Sequence, residues 1–189
     1  DLEMSFIDSH QDIINLEQKL IVSMLSSVKE KFGNEINKYY DRNLIIPGIP
    51  FPQITLEEVK KLLSGFKISG TEEGDLNPEE ERKLCGVIKE KFNHEFVFVT
   101  DYPKEKRAFY HMRYKEKPDI TKGFDLLWDG LEITTGAQRD HRYEILKKQA
   151  KEKGLSMKSL QYYLNFFKYG CPPHGGFGFG PSRFVMKIF

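Results

Sequence analysis

The stretch from Phe124 to Thr135 constrains the fold of this chain more than any other, because it has the pattern of a complete β-hairpin. Asp129-Gly130 favours a tight two-residue turn, and strand-like segments lie on both sides of it. In this pairing, one face of the hairpin is apolar and is made of Phe124, Leu126, Trp128, Leu131 and Ile133. The hairpin therefore predicts antiparallel strands with one face against a core.

The other face of the predicted hairpin carries acidic side chains. Asp125 lies opposite Thr134 in this register, and Leu127 lies opposite Glu132. Asp125 and Glu132 then project to the same side as diagonal neighbours, within reach of one cation. Two carboxylates on rigid strands suit Mg²⁺ that is held together with substrate phosphates, although acids on a solvated sheet face are also ordinary.

The segment after the hairpin favours a functional site. Arg139 and Arg142 follow the strand together with His141, and a guanidinium there can bind a carboxylate at two points. Charge at the entry of a helix and an ion pair with Asp140 are the simpler explanation. The spacing alone does not decide between the two.

A glycine-rich segment near the end of the chain is the second unusual feature. Glycines at 176, 178 and 180 alternate with Phe177 and Phe179, so one strand face is expected to be bare while the phenylalanines pack into the core. Pro181 suits the first turn of a helix, which places Arg183 at the junction over the bare face. An arginine there can stack on a purine and contact a phosphate. The spacing matches neither the Rossmann fingerprint nor the P-loop.

The remaining segments predict helices that interrupt strands, which is an α+β order of elements. Strands are expected in the first six residues, at 96–100, at 107–114 and in the glycine-rich segment. Helices are expected from Ser9 to about Phe32 with an end at Gly33-Asn34, from Thr55 to about Leu63, from Asn77, at 142–153, at 159–169 and from Pro181.

Composition excludes several classes of protein. The chain has 189 residues, with 29 Lys and Arg against 28 Asp and Glu, which fits one ordinary domain and rules out a polybasic nucleic-acid-binding coat. A mean hydropathy of -0.52 with 13% aromatic residues argues against both a membrane protein and a disordered chain. Cys85 and Cys171 lie far apart without a CxxC partner, so we expect a reducing, cytoplasmic location and no cysteine-based zinc site.

The motifs together resemble the catalytic domain of class II aminoacyl-tRNA synthetases, specifically the archaeal and eukaryotic type of aspartyl-tRNA synthetase. The resemblance rests on the segments 124–139 and 172–183, and it extends through 99–103 and the opening Leu2-Glu3-Met4-Ser5-Phe6. It implies an antiparallel sheet flanked by helices and a homodimer in the intact protein. It also implies that residues 1–189 are part of a single catalytic domain, with the first motif and most of the second motif upstream.

The resemblance also implies a set of site residues. Asp125, Glu132 and Thr135 are expected at the Mg²⁺ ion, and Glu132 and Arg183 are expected to take part in catalysis. The ATP-binding residues are expected to be Asp125, Glu132, Gly178, Gly180 and Arg183. The amino-acid-binding residues are expected to be Asp1, Gln138, Arg139 and His174, with Arg139 on the side-chain carboxylate of L-aspartate and Asp1 behind it.

The implied reaction joins L-aspartate to ATP as aspartyl-adenylate and then transfers the aspartyl group to the 3′ end of tRNA(Asp). Charging of tRNA(Asn) as well is left open. Three alternatives remain: an asparaginyl-tRNA synthetase, a synthetase-derived asparagine synthetase, and a synthetase-like binding protein without catalysis. Ser182 stands where the family usually has Glu or Asp, and the chain without its upstream motifs is expected to be inactive by itself.

Overall fold

The computed structural model describes all 189 residues, and six strands form one sheet. The strands are β1 (Leu2–Ser5), β2 (Gln53–Thr55), β3 (Phe96–Thr100), β4 (Gly123–Trp128), β5 (Leu131–Arg139) and β6 (His174–Phe179). Their spatial order is β1-β6-β5-β4-β3-β2, and every neighbouring pair is antiparallel except β2 and β3. The predicted α+β fold with a mainly antiparallel sheet is confirmed.

Six helices accompany the sheet, with a short 3₁₀ helix at Lys104–Lys106. They are α1 (His10–Tyr40), α2 (Leu56–Leu63), α3 (Pro78–Phe92), α4 (Tyr143–Glu152), α5 (Met157–Lys168) and α6 (Pro181–Ile188). None of them combines the length and the low polarity that crossing a membrane requires.

Local capping chemistry explains where several helices begin. The Thr55 hydroxyl accepts from the Glu58 amide while the Glu58 carboxylate accepts from the Thr55 amide, and Asn77 and Glu80 repeat this exchange at α3. Each exchange satisfies backbone donors that a helix leaves free at its first turn. Pro181 opens α6, as the sequence predicts.

Helices cover the two faces of the sheet unequally. On one face, α1 and α6 bury the apolar side of the hairpin, including Phe124, Leu126 and Trp128. On the other face, α2 and α3 pack over β3 and β4. A third, smaller cluster joins α4 to α5. The second face is therefore covered at β3, β4 and the start of β5, and it is open over the rest of β5, β6 and β1.

The predicted end of the first helix is wrong, because α1 continues through Gly33-Asn34 to Tyr40. Ile36 is buried and extends the apolar stripe of Ile21 and Leu25 against the sheet. This burial outweighs the cost of about 1 kcal/mol for a glycine inside a helix. Asp41, in the left-handed region at φ 51°, ends the helix instead.

The predicted strand at 107–114 does not form as a regular strand. The segment makes only isolated bridges, from His111 to Arg139 and from Arg113 to Thr121. Phe109 and Tyr110 pack towards the α4–α5 pair rather than alternating across a sheet. The segment is therefore a loop that passes over the end of β5.

The hairpin turn is confirmed, but the predicted register fails beyond it. Asp129 and Gly130 both have positive φ, as a two-residue hairpin turn of this kind requires. The register shifts between Leu126 and Leu127, so that Asp125 faces Thr135 rather than Thr134. Thr134 thereby turns to the opposite face, where its hydroxyl donates to the carboxylate of Glu17 in α1.

Candidate active site

The face of the sheet opposite α1 carries a row of aligned residues that runs from the covered strand β4 to the open edge at β1. Asp125 on β4 faces Thr135 on β5, and Thr135 faces Gly178 on β6. A Cβ atom at Gly178 would lie 3.3 Å from the carboxylate of Asp1, at the start of β1. The shifted register of the hairpin produces this row, because it brings Thr135 rather than Thr134 to the open face.

A cleft of about 580 Å³ lies over this row. Strands β1, β5 and β6 form its floor, the loop at 109–111 forms one side, and α5 forms another. Its lining residues are Asp1, Glu3, Tyr110, His111, Thr135, Arg139, Tyr163, Phe167, His174, Phe177 and Gly178. The cleft therefore combines aromatic walls with a small set of charged groups, which is typical of small-molecule sites.

Arg139 is the cationic group of the cleft. Its Nε and Nη2 atoms donate to one carboxylate oxygen of Glu3, at 3.2 and 2.8 Å, and its guanidinium lies 5.4 Å from the centre of the Tyr110 ring. Its Nη1 atom faces Nε2 of His111 at 3.4 Å. Glu3 thus fixes the orientation of the guanidinium from one side, and the other side of the group remains turned towards the cleft.

His111 lies between Arg139 and the sheet and remains neutral. Burial, reinforced by the charge of Arg139, lowers the pKa of His111 to about 3. Its Nδ1 atom is buried without a hydrogen-bond partner. The side chain therefore adds polarity beside Arg139 without adding a second positive charge.

Glu132 and Arg183 form the other charged group, at the far end of β5. Arg183 donates from Nη1 to the backbone carbonyl and to the carboxylate of Glu132, at 2.9 and 3.0 Å. The Thr135 hydroxyl donates to the same carboxylate at 3.2 Å. Burial, followed by the charge of Asp125, raises the pKa of Glu132 above its usual value.

Glu81 of α3 adds a third carboxylate to this end of the site. Burial, followed by the charge of Glu132, raises the pKa of Glu81 to about 7. Arg183 opposes this shift only weakly. Glu81 and Glu132 are therefore two poorly solvated carboxyl groups that repel each other beside a single arginine.

Asp125 differs from Glu132 in being fully engaged within the protein. Both of its carboxylate oxygens accept from the guanidinium of Arg107, in a two-point contact that is almost completely buried. Arg107 also stacks on the ring of Tyr102, with its guanidinium carbon 3.6 Å from the ring centre. This cluster anchors the loop at 104–111 to the sheet.

Comparisons with known proteins identify the family. The model of the family described as tRNA synthetases class II (D, K and N) matches residues 1–189. The chain belongs to this family. It is 40% identical over 190 residues to the aspartate–tRNA(Asp) ligase of Pyrococcus abyssi, covering 100% of this chain and 43% of that ligase. It is 42% identical over 188 residues to the aspartate–tRNA(Asp/Asn) ligase of Methanopyrus kandleri, again over 100% of this chain and 42% of the relative.

Solved structures of class II synthetases superpose on this synthetase chain. Aspartyl-tRNA synthetase from Entamoeba histolytica matches with a TM-score of 0.89 and 31% identity, over 98% of this chain and 39% of that one. Asparaginyl-tRNA synthetase from the same organism, in complex with asparaginyl-adenylate, matches with a TM-score of 0.87 and 30% identity, over 98% and 42%. The chain spans less than half the length of these relatives.

The structure brings most of the expected synthetase site residues to the cleft or to its Glu132 end. Asp1, Thr135, Arg139, His174 and Gly178 line the cleft, and Glu132 and Arg183 are paired beside it. Asp1 lines the cleft beside Gly178, and the carboxylate that contacts Arg139 is that of Glu3.

Two of the expected residues lie elsewhere. Gln138 is on the opposite face from Arg139, as alternation along β5 requires, and its side-chain oxygen accepts from Lys122 at 3.0 Å. The structure therefore does not bring Gln138 to the cleft. Gly180 is the residue that precedes α6, and it lies beside the side chain of Arg183 rather than in the strand.

The glycine face of β6 is less bare than the sequence predicts. A Cβ atom at Gly176 would lie 2.0 Å from the backbone oxygen of Leu2 and 2.6 Å from the carboxylate of Glu3. Glycine at 176 therefore allows β1 and the Glu3 side chain to approach. Only Gly178 remains as open floor of the cleft.

The residues present fit one Mg²⁺ ion only in part. No group of three or more His, Cys, Asp and Glu side chains is arranged to hold a metal ion. Glu132 and Thr135 offer adjacent oxygens, which suits an ion that is completed by water and substrate phosphates. Asp125 does not fit as a direct ligand, because Arg107 occupies both of its oxygens.

Sequence reasoning missed four functional candidates: Glu3, Glu81, Arg107 and His111. Arg107 and His111 lie in the segment that has the pattern of a strand, and nothing in that pattern indicates contact with Asp125 or Arg139. Glu3 could have been found from the sequence, because it lies two positions after Asp1 on an extended segment and its side chain therefore points to the same face.

Proposed function

We propose that the protein containing this chain is an aspartate–tRNA ligase. The α-carboxylate of L-aspartate attacks the α-phosphorus of ATP. The bond from that phosphorus to the oxygen bridging to the β-phosphate breaks, and pyrophosphate leaves with the electron pair. A hydroxyl of the terminal adenosine of tRNA(Asp) then attacks the carbonyl carbon of the adenylate, and AMP leaves. The curated relatives, identical at about 40% over the whole chain and named as aspartate–tRNA ligases, carry this proposal.

The cleft supports the first step by position and charge. Arg139 binds the side-chain carboxylate of aspartate, with Glu3 holding the guanidinium in place. Thr135 and Gly178 form the floor where the reacting groups meet, and Arg183 contacts the adenine and the phosphates. Catalysis then comes mainly from positioning and from compensation of developing negative charge, so no protein base is required.

Glu132 and Thr135 would hold Mg²⁺ on the ATP phosphates. The bound ion would supply positive charge that offsets the repulsion between the triphosphate and the attacking carboxylate. Asp125 would not bind the ion directly, because Arg107 holds its carboxylate. Its negative charge nevertheless acts on the neighbouring Glu132, whose pKa is raised by burial and by this charge.

Exchange of labelled pyrophosphate into ATP by the full-length protein tests the proposal. We expect exchange that depends on L-aspartate and not on L-asparagine. Exchange with asparagine alone would make the protein an asparaginyl-tRNA synthetase, and none with either would indicate a binding protein. Exchange without charging of tRNA, together with ammonia-dependent formation of asparagine, would indicate an asparagine synthetase.

Arg139→Ala links this activity to the cleft. We expect it to raise the KM for aspartate by about 100-fold or more, because a two-point contact with a carboxylate is lost. Arg113→Ala is the matched control: Arg113 pairs with the solvent-exposed Glu152 outside the cleft, so exchange should stay as in the wild type. Unchanged aspartate kinetics in Arg139→Ala would remove Arg139 from the pocket.

Acceptance of tRNA(Asn) and the dimeric state stay proposals. Charging of both purified tRNAs would identify a ligase of the kind named for the Methanopyrus kandleri relative. Light scattering of the full-length protein measures its oligomeric state.

A further inference from the structure

The outer face of α5 carries an exposed row of aromatic side chains. Tyr162, Phe166 and Tyr169 are 85%, 77% and 86% exposed, although large aromatic side chains are ordinarily buried. Together with Lys158 they follow one another at steps of three or four residues, so they lie along one side of α5, extended by Tyr169, the residue that directly follows it. The opposite side of α5 is buried through Leu164 and Phe167. We call Lys158, Tyr162, Phe166 and Tyr169 the α5 row.

The surroundings of the α5 row are positively charged. Helix α5 contains no Asp or Glu, and its outer positions include Lys158 and Lys168. The Lys168 ammonium lies 5.6 Å from the centre of the Tyr169 ring. The stretch 142–169 has seven Lys and Arg against two Glu, whereas the whole chain has a net charge of only +1. The only charged side chains of α5 itself are therefore the two lysines, Lys158 and Lys168.

The α5 row borders the cleft. The same helix sends Tyr163 and Phe167 into the cleft wall, one residue along from Tyr162 and Phe166. The α5 row therefore lies on the same helix that forms one wall of the cleft.

We propose that the α5 row is a stacking surface for the single-stranded 3′ end of the tRNA substrate. Flat aromatic faces interleaved with lysines suit unpaired bases and their phosphates, because bases stack on the rings while ammonium groups follow the backbone. A surface that binds a protein partner needs apolar side chains but has no need of the adjacent lysines, so the combination favours a nucleic acid. This inference rests on the proposed ligase function, since it assigns where that ligase holds its second substrate.

The experiment compares the two steps of the reaction in the full-length protein. The double substitution Tyr162→Ala with Phe166→Ala should leave aspartate-dependent pyrophosphate exchange unchanged, because that step needs no tRNA. It should raise the KM for tRNA in charging about 30-fold or more, since stacking contributes about 1–3 kcal/mol per base and the pair removes two stacking faces. Tyr39→Ala, which removes an exposed tyrosine from α1, is the matched control and should change neither step.

Two further variants separate stacking from plain apolar contact. Tyr162→Phe with Phe166→Tyr keeps both ring faces and should retain the wild-type KM for tRNA. Tyr162→Leu with Phe166→Leu keeps apolar area without a ring face and should behave like the alanine pair. Lys158→Gln should lower the slope of log affinity for tRNA against log salt concentration by about 0.7.

Several outcomes would overturn the inference. Equal tRNA kinetics in the alanine pair and the wild type would leave the row without a role in RNA binding. Full activity of the leucine pair would show that plain apolar contact, and not base stacking, is what the row supplies. An equal loss of exchange and charging would show that the row acts on the fold. For tRNA that lacks its single-stranded 3′ end, the alanine pair and the wild type should bind with the same affinity, and a difference between them would place the row against another part of the tRNA.

Absence of exchange in the wild type is a separate result, because it would refute the ligase function itself.

Discussion

Replacing Glu17 with glutamine tests how the fold holds the strand that carries Glu132 and Thr135. Glu17 is completely buried in α1, and one of its oxygens accepts from the Thr134 hydroxyl while the other has no partner. Burial, reinforced by the charge of Asp125 and opposed by the Thr134 bond, raises the pKa of Glu17 to about 8. The side chain is therefore protonated in the folded protein at neutral pH.

The sign of the effect on stability follows from proton uptake. The unfolded chain, with a pKa of 4.5, has lost this proton at pH 7, whereas the folded protein keeps it. Folding thus takes up one proton between pH 4.5 and about 8, and the free energy of unfolding falls as pH rises through this window. The slope is about 1.4 kcal/mol per pH unit, or about 3 kcal/mol from pH 5.5 to 7.5.

Glu17→Gln removes this proton from the balance and retains an oxygen that accepts from Thr134. We expect the variant to become increasingly more stable than the wild type as pH rises, by about 1.4 kcal/mol per unit. Urea unfolding followed by the fluorescence of Trp128, the one tryptophan of the chain, measures the difference at pH 5.5, 6.5 and 7.5. Shifts from other titrating groups cancel in the comparison of the two proteins.

Glu30→Gln is the matched control, because Glu30 lies on the exposed side of α1. Its unfolding curves should follow those of the wild type at every pH. Parallel curves for Glu17→Gln and the wild type would refute the reasoning, because they would mean that Glu17 is ionised in the folded protein. Glu17→Leu should in addition lose about 1–3 kcal/mol, because the buried Thr134 hydroxyl then has no acceptor.

Three further predictions concern the site. Arg107→Met should destabilise the protein by about 3–5 kcal/mol, because it leaves the Asp125 carboxylate buried without its partner. Adding Asp125→Asn should restore much of that loss in thermal unfolding, and no recovery would refute the pairing. Glu132→Gln should raise the Mg²⁺ concentration that gives half-maximal pyrophosphate exchange, with titrations of wild type and variant as the measurement. His111→Gln should flatten the loss of stability below pH 6.5, because the depressed pKa of His111 makes the folded protein resist protonation that the unfolded chain accepts. Identical acid unfolding of the two proteins would contradict this.

Features of the fold that depend on neighbouring residues could be predicted from the sequence. The turn at Asp129-Gly130 follows from residues that tolerate positive φ, and the helix that begins after Asn77 follows from a cap within three residues of its partner. The placement of Asp125 and Glu132 on one face needs only the alternation of a strand near its turn. Each of these features is determined by residues within a few positions of one another, so it can be predicted without knowing the fold.

Features that depend on distant contacts could not be predicted. The register shift in β5 turns Thr134 towards Glu17, which lies 117 positions away in the sequence. Arg139 is held by Glu3, 136 positions away, and neither residue carries a local sign of the other. The extension of α1 past Gly33 likewise depends on the core that Ile36 enters. In each case a tertiary contact outweighs a local preference of about 1 kcal/mol.

The site is built from arginine–carboxylate pairs that join different elements, and their burial determines which pairs a substrate can open. The pair of Arg107 and Asp125 is almost completely buried, so separating it would leave a charge without solvent or partner. The pair of Arg183 and Glu132 is 50% and 33% exposed, and a pair of this kind contributes only about 0–1 kcal/mol. Under the proposed function, ATP and Mg²⁺ would separate Arg183 from Glu132 at small cost, while Arg107 keeps Asp125 in place. The same pairing explains how a strongly charged cleft exists in a chain whose net charge is only +1.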